Sequence, residues 1–291
     1  FVHLNLHSEY SLVDGIVRIK PLVKVVGEQQ MPAVALTDQS NLYAMVKFYK
    51  ACMGAGIKPI IGADLWISRD GTDEDAFRLI LLCRNHDGYL NLMELISRSY
   101  LTGQQHDKAI VHYEWLAELC AGLIALSGGK DGEVGRCLIQ GQEDRAAELV
   151  REWSQLFQGD FFLELQRCGR EGDERHLQLA VSLALEHDIP VVATNAVCYL
   201  TPDDFEAHEA RVSIHDGYTL DDPTRPKNYS TEQYLRSPEE MAELFSDLPE
   251  ALENTVEIAR RCTLDVTLGK NFLPEFPIPV TFTTDEYLVH R

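Results

Sequence analysis

The sequence predicts an α/β protein, a distorted β/α barrel of seven units with TIM-barrel-like organisation, and three observations carry that prediction. Short apolar runs recur seven times with amphipathic stretches between them. The runs are nearly continuous in apolar residues, the pattern of parallel strands covered on both faces. No G-x-G-x-x-G turn follows the first run, which sets aside a two-domain dinucleotide-binding arrangement and favours a barrel.

Taken in order, LNLH (4–7) is the first strand, and it runs into a polar turn ending at Asp14-Gly15. Alternation along a strand places His3, Asn5 and His7 on one face. PLVKVVGEQQ (21–30) is the first helix and AVALTD (33–38) the second strand. Asp38, with Ser40 and Asn41, reads as the N-cap of the helix NLYAMVKFYKACMGAG (41–56). PIIGADL (59–65) and RLILLC (78–83) follow as strands, then the helix LNLMELISRSY (90–100) and the strand LIALS (123–127). SGGKDGEVG (127–135) has the glycines of a phosphate cradle at a helix start. It lacks the G-x-x-x-x-G-K-[ST] pattern, so a plain strand-to-helix turn is the better reading. RAAELVREWSQLFQ (145–158), FFLELQ (161–166), ERHLQLAVSLALEHD (174–188) and PVVATN (190–195) complete the repeat.

Beyond residue 200 the helix starts are marked by chemistry. Thr201-Pro202 and Ser237-Pro238-Glu239-Glu240 each give a cap residue, then proline in the first turn, then acids near the positive helix end. Asp247 ahead of Pro249-Glu250 reads the same way, with Arg260-Arg261 suited to the negative end of that helix. DGYTLDDPTRPKNYS (216–230) is a polar surface loop. After Cys262 the chain turns irregular and proline-rich, and DEYLVHR (285–291) is a helix cut short. The expectation is a fragment of a longer protein, with one domain over 1–270 and the start of a connection over 271–291.

Composition bounds the function. The chain has 291 residues, 45% hydrophobic and 25% charged, with no apolar run of membrane-spanning length and no signal segment, so the cytoplasm is the default location. Seven cysteines, none in C-x-x-C spacing, predict reduced and mostly buried thiols. A formal charge of −20 argues against strong direct DNA binding, which requires lysine and arginine against phosphate. Chemistry in such barrels gathers at the carboxyl ends of the strands. There the sequence places Asn5, His7, Asp38, Gln39, Asp64, Cys168 and the stretch from Asn195 to Cys198. A hydrolytic metal centre wants several imidazoles and carboxylates there with one position open, and only His7 is a good imidazole ligand. The bland alternatives are a surface or edge role for His3 and simple space-filling for Cys168 and Cys198.

FVHLNLHSEYSLVDG, MPAVALTDQSNLYAMVKFYKACMGAGIKPIIGADL, FFLELQRCG, PVVATNAVCYL, HEARVSIHDGYTLDD and FLPEFP occur in this order along essentially the whole chain. They closely resemble the N-terminal PHP (polymerase and histidinol phosphatase) domain of bacterial DNA polymerase III alpha subunits. The resemblance implies a distorted seven-unit barrel which, in active relatives, holds three metal ions with nine ligands around its mouth. Carried over by position, it implies that His7 and Asp14 stand as in the family and that Asp64 is a shortened carboxylate. Asn5, Gln39, Arg78, Cys168, Ala196 and Cys198 fall at ligand positions where the family has other residues. The implied function is a structural domain with a degenerate, catalytically inactive metal site. It would pack on the rest of the polymerase alpha chain and dock the proofreading exonuclease subunit. No cofactor is expected beyond a residual Zn or Mn on His7, Asp14 and Asp64. The alternative is a metal-dependent phosphoesterase with a reduced site, acting as a 3′–5′ exonuclease or on pyrophosphate.

Overall fold

The computed structural model describes residues 1–106, 108–271, 277–279, 281 and 283–290. The first strand-like stretch is irregular, and the regular elements begin with α1 (Ile19–Glu28) and β1 (Ala33–Leu36). Next come α2 (Met45–Ala55), β2 (Lys58–Ser68), β3 (Phe77–Cys83) and α3 (His86–Leu101). A small hairpin of β4 (Gln104–Gln105) and β5 (Lys108–His112) leads to α4 (Tyr113–Leu119) and β6 (Leu123–Leu126). Then follow α5 (Glu133–Ile139), α6 (Glu143–Phe157), β7 (Phe161–Gln166), α7 (Asp173–His187) and β8 (Val191–Thr194). The chain continues through α8 (Phe205–Asp216), α9 (Pro238–Leu244), α10 (Pro249–Arg261) and α11 (Thr284–His290). The FLPEF stretch (272–276) lies outside the described residues.

The sheet runs β1–β2–β3–β6–β7–β8 and closes through the N-terminal segment. Val197 N donates to Asn5 O at 3.1 Å and His7 N to Val197 O at 2.8 Å, on the β8 side. Ala35 N donates to His3 O at 2.8 Å and Thr37 N to Leu6 O at 2.9 Å, on the β1 side. The result is a distorted seven-strand barrel, and the strands fall where the apolar runs predict them. One expectation needs correcting. β3 is antiparallel to both β2 and β6, so the sheet is mixed. The connection 69–76 is too short to carry a crossover, and a short connection between neighbouring strands makes a hairpin.

Strands buried on both faces serve two cores. Outward residues such as Val34, Ile61, Leu65 and Leu163 pack in one cluster with Leu22, Phe48 and Trp153 from the surrounding helices. Inward residues Val2, Leu4, Ala35, Ile60, Leu82, Phe162 and Val192 fill the barrel, joined by Ile258, Ala259 and Cys262. α10 therefore plugs one end, and Lys58 Nζ fixes it by donating to Ala259 O at 2.6 Å. With that end sealed by apolar side chains, the polar inward residues collect at the other.

Two capping predictions hold. Ser237 and Glu240 form a capping box at α9, and Thr201 and Asp204 form another at the short 3-10 turn before α8. Asp247 is not a cap: Leu248 holds that position at α10, and the Asp247 carboxylate pairs with Arg167 across the surface at 2.6 Å. All seven cysteines are free thiols. Among the described residues no helix is long and apolar enough to cross a membrane.

Candidate metal centre

The polar end of the barrel opens into a cleft of about 940 Å³ lined by Asn5, His7, Asp14, Asp64, Arg78, Glu164, Ala196 and Cys198, among others. Its turn is built by local chemistry. The Asp38 carboxylate accepts from Ser8 N at 2.6 Å and from Ser8 Oγ at 2.8 Å, clamping the residue after His7. Asp38 is thus committed to the 8–15 turn and is not the N-cap of α2, which Ala44 begins without any side-chain cap. Gly15 lets the turn close, because a Cβ there would lie 2.0 Å from Ser8 O. The closed turn returns Asp14 beneath His7.

His7 Nδ1 sits 2.8 Å from Asp14 Oδ1 and 2.9 Å from Oδ2, while Nε2 lies 3.4 Å from Asp64 Oδ2. Arg78 enters from the second residue of the antiparallel β3, the end that the reversal brings to the mouth. Its Nε donates to Asp64 Oδ1 at 2.8 Å and its Nη2 to Asp64 Oδ2. Asp14 also accepts from Ser11 Oγ at 2.9 Å and Tyr229 OH at 3.2 Å. All four charged groups are buried or nearly so. Burial works to lower the His7 pKa, but Asp14 and Asp64 outweigh it and raise it to about 10. Burial likewise works to raise Asp14 and Asp64, and the two cations hold both carboxyls below their ordinary value. Two cations thus balance two carboxylates within one buried cluster.

The remaining sequence-derived positions divide. Asn5 lines the cleft and donates to Glu164 Oε1 at 2.9 Å. Cys198 brings a third ligand type to His7 and Asp14, with one donor atom from each lying within 4.8 Å of the others. Burial pushes its thiol well above the usual value, so it is protonated as it stands. Ala196 lines the cleft in the left-handed region at φ 42° and offers no ligand. Cys168 is buried outside the cleft lining, its Sγ 3.3 Å from Asn195 O, with its pKa raised by burial to about 12. Gln39 pairs with Asp64 through the backbone, and its side chain is not on the cleft wall.

His3 does not share a face with Asn5 and His7. Leu4 and Asn5 both turn inward at an irregularity in the strand, and His3 lies fully buried with Nε2 2.8 Å from Arg236 O. It is neither an edge nor a surface histidine, and burial lowers its pKa to about 4.

Sequence reasoning passed over two residues. Glu164 is completely buried on the cleft floor, where Oε1 accepts from Asn5, Gln166 and Thr194 while Oε2 has no partner. A single acid between apolar residues of FFLELQ was the available signal, since charge is rarely buried without purpose. Tyr229 sits in the polar loop and carried no such signal.

A family model for the PHP domain matches residues 3–168. The chain is 57% identical over 290 residues to the DNA polymerase III subunit alpha of Pseudomonas aeruginosa, covering 100% of this chain and 25% of that protein. To the subunit of the same name from Escherichia coli strain K12 it is 51% identical over 291 residues, again 100% and 25% of the two chains. The chain therefore spans about a quarter of the length of the curated relatives it matches. Its shape has a weak likeness to an amidohydrolase from Chromobacterium violaceum, at TM-score 0.45 and 12% identity over 72% of this chain and 96% of the other.

Proposed function

This chain belongs to the PHP-domain family, and we propose that it is the PHP domain of a replicative DNA polymerase III alpha subunit whose metal site is degenerate and catalytically silent. The observation that carries the reading is the Arg78 guanidinium bonded to both oxygens of Asp64, with protonated His7 between the two carboxylates. A fixed positive charge stands where a cation would bind, and the carboxylates are already satisfied by protein donors. The donor set does not fit a cluster of several metals: Asn5 is a neutral, weak donor committed to Glu164, Gln39 does not line the cleft, and Ala196 has no ligand atom. The three ligand types of His7, Asp14 and Cys198 could take one ion only after His7 and the thiol each lost a proton.

On this reading the domain occupies 1–270 and leads through 271–291 into the polymerase body. It would work in the cytoplasm as a structural platform for the rest of the alpha chain and for a proofreading exonuclease subunit, making no strong DNA contact of its own. Two assays test it. The chain should hydrolyse neither a thymidine phosphodiester nor pyrophosphate with Zn²⁺, Mn²⁺ or Fe²⁺, and an exonuclease subunit should co-purify with it. A second reading, a phosphoesterase with a reduced site, is favoured by the convergence of His7, Asp14 and Cys198. Zinc-dependent hydrolysis abolished by His7→Ala would establish that reading in place of the first.

A further inference from the structure

We propose that segment 217–230 is a latched strap forming one wall of the cleft, with a catch on the site itself. α8 ends at Gly217 in the left-handed region at φ 77°, and the chain to residue 228 then runs without helix or strand, largely exposed. Ser230 Oγ donates to Cys168 O, and Gln233 Nε2 donates to Ala196 O at 3.2 Å, so the chain beyond the strap is stitched to the barrel. Between these ends two side chains hold the segment down. Arg225 pairs with Glu209 on α8, both of them largely buried. Tyr229 lies edge-on to the His208 ring at 4.6 Å between centroids and donates its hydroxyl to Asp14 Oδ2 at 3.2 Å. The His208 ring is itself packed against Tyr199 and Phe205, so it gives Tyr229 a fixed seat.

Lys227 and Asn228 line the cleft beside Tyr229, and among the described residues neither side chain has a hydrogen bond or ion pair of its own. Their position is set by the anchors at Arg225 and Tyr229 on either side of them. Lifting Tyr229 opens that wall and leaves Asp14 Oδ2 with His7 Nδ1 at 2.9 Å, so whatever competes with Tyr229 for that oxygen also releases the strap. This coupling holds whether or not an ion ever binds there.

Proteolysis of a transiently opened segment reports its open population when reclosing is fast. The test is the rate of tryptic cleavage after Lys227 in the intact polypeptide, with peptide-level hydrogen exchange of 218–229, for wild type, Tyr229→Phe and Arg225→Ala. Tyr229→Phe keeps the ring on His208 and removes only the bond to a charged acceptor, which should raise the cleavage rate about tenfold. Arg225→Ala should do the same, and exchange in β7 and β8 should not change in either variant. Equal cleavage rates in all three proteins overturn the proposal. So does faster exchange spreading through β7 and β8, because Tyr229 would then be part of the barrel and no catch.

Discussion

Replacing Arg78 by alanine should both destabilise the barrel and open it to a metal ion. The guanidinium is 17% exposed, holds both oxygens of Asp64, and stacks over Trp66 with 4.8 Å from its carbon to the ring centroid. Among the described residues, removing it leaves Asp64, 6% exposed, with only His7 Nε2 at 3.4 Å as a side-chain partner. Breaking a buried pair from one side costs about 3–5 kcal/mol, because the remaining charge is left uncompensated. Unfolding entropy near 2.1 cal/mol/K per residue gives roughly 0.6 kcal/mol/K for a chain of 291 residues. The expected loss is then about 5–8 °C in Tm when the chain is unfolded thermally in the presence of a chelator. Zn²⁺ at about a hundred times its Kd should return about 2.7 kcal/mol, or roughly 4–5 °C, to the variant. Wild type should gain little, since Arg78 already holds Asp64. A Tm loss under about 1 °C, or an equal gain from Zn²⁺ in both proteins, would refute the reasoning.

Two further outcomes follow from the same cluster. His7, raised from 6.5 to about 10, contributes stability that is fully present below pH 6.5 and lost as pH rises toward 10. Asp14 and Asp64, both lowered, contribute stability present above their ordinary value and lost as pH falls below it. Denaturant midpoints measured from pH 4 to 10 should therefore show an alkaline decline that His7→Gln flattens; a decline of equal slope in the variant would count against a charged His7. At Glu164, glutamine keeps an oxygen for the donors from Asn5, Gln166 and Thr194, so Glu164→Gln should lie within about 1 kcal/mol of wild type. Glu164→Ala strands those three donors in a buried site and should cost at least about 2 kcal/mol in urea unfolding.

The barrel was legible because burial on both faces of a strand leaves a run of apolar residues, and α9 because Ser237 and Glu240 meet within four residues of chain. The direction of β3 was not legible, because the apolar runs leave 66–77 between them, room enough for a crossover, and only the extension of β2 to Ser68 and of β3 back to Phe77 shortens the link to a hairpin. His7, Asp14 and Asp64 come together at the barrel mouth. What they converge with was less accessible. Asp38 finds its partner Ser8 thirty residues back, and Tyr229 reaches Asp14 from a loop 215 positions away. Such pairings depend on closure of the barrel and leave no local pattern. His3 misled because strand alternation assumes a regular strand, and the irregularity at Leu4 and Asn5 breaks the period.

The most direct test of the central claim is the metal content of the purified chain after chelation and reloading with Zn²⁺, Mn²⁺ or Fe²⁺, read by elemental analysis. A cluster that neutralises its own carboxylates with His7 and Arg78 should retain next to no metal under any of the three conditions. Stoichiometric binding that disappears in His7→Ala would contradict it, and would mean that the ligands at the barrel mouth still work as a metal site.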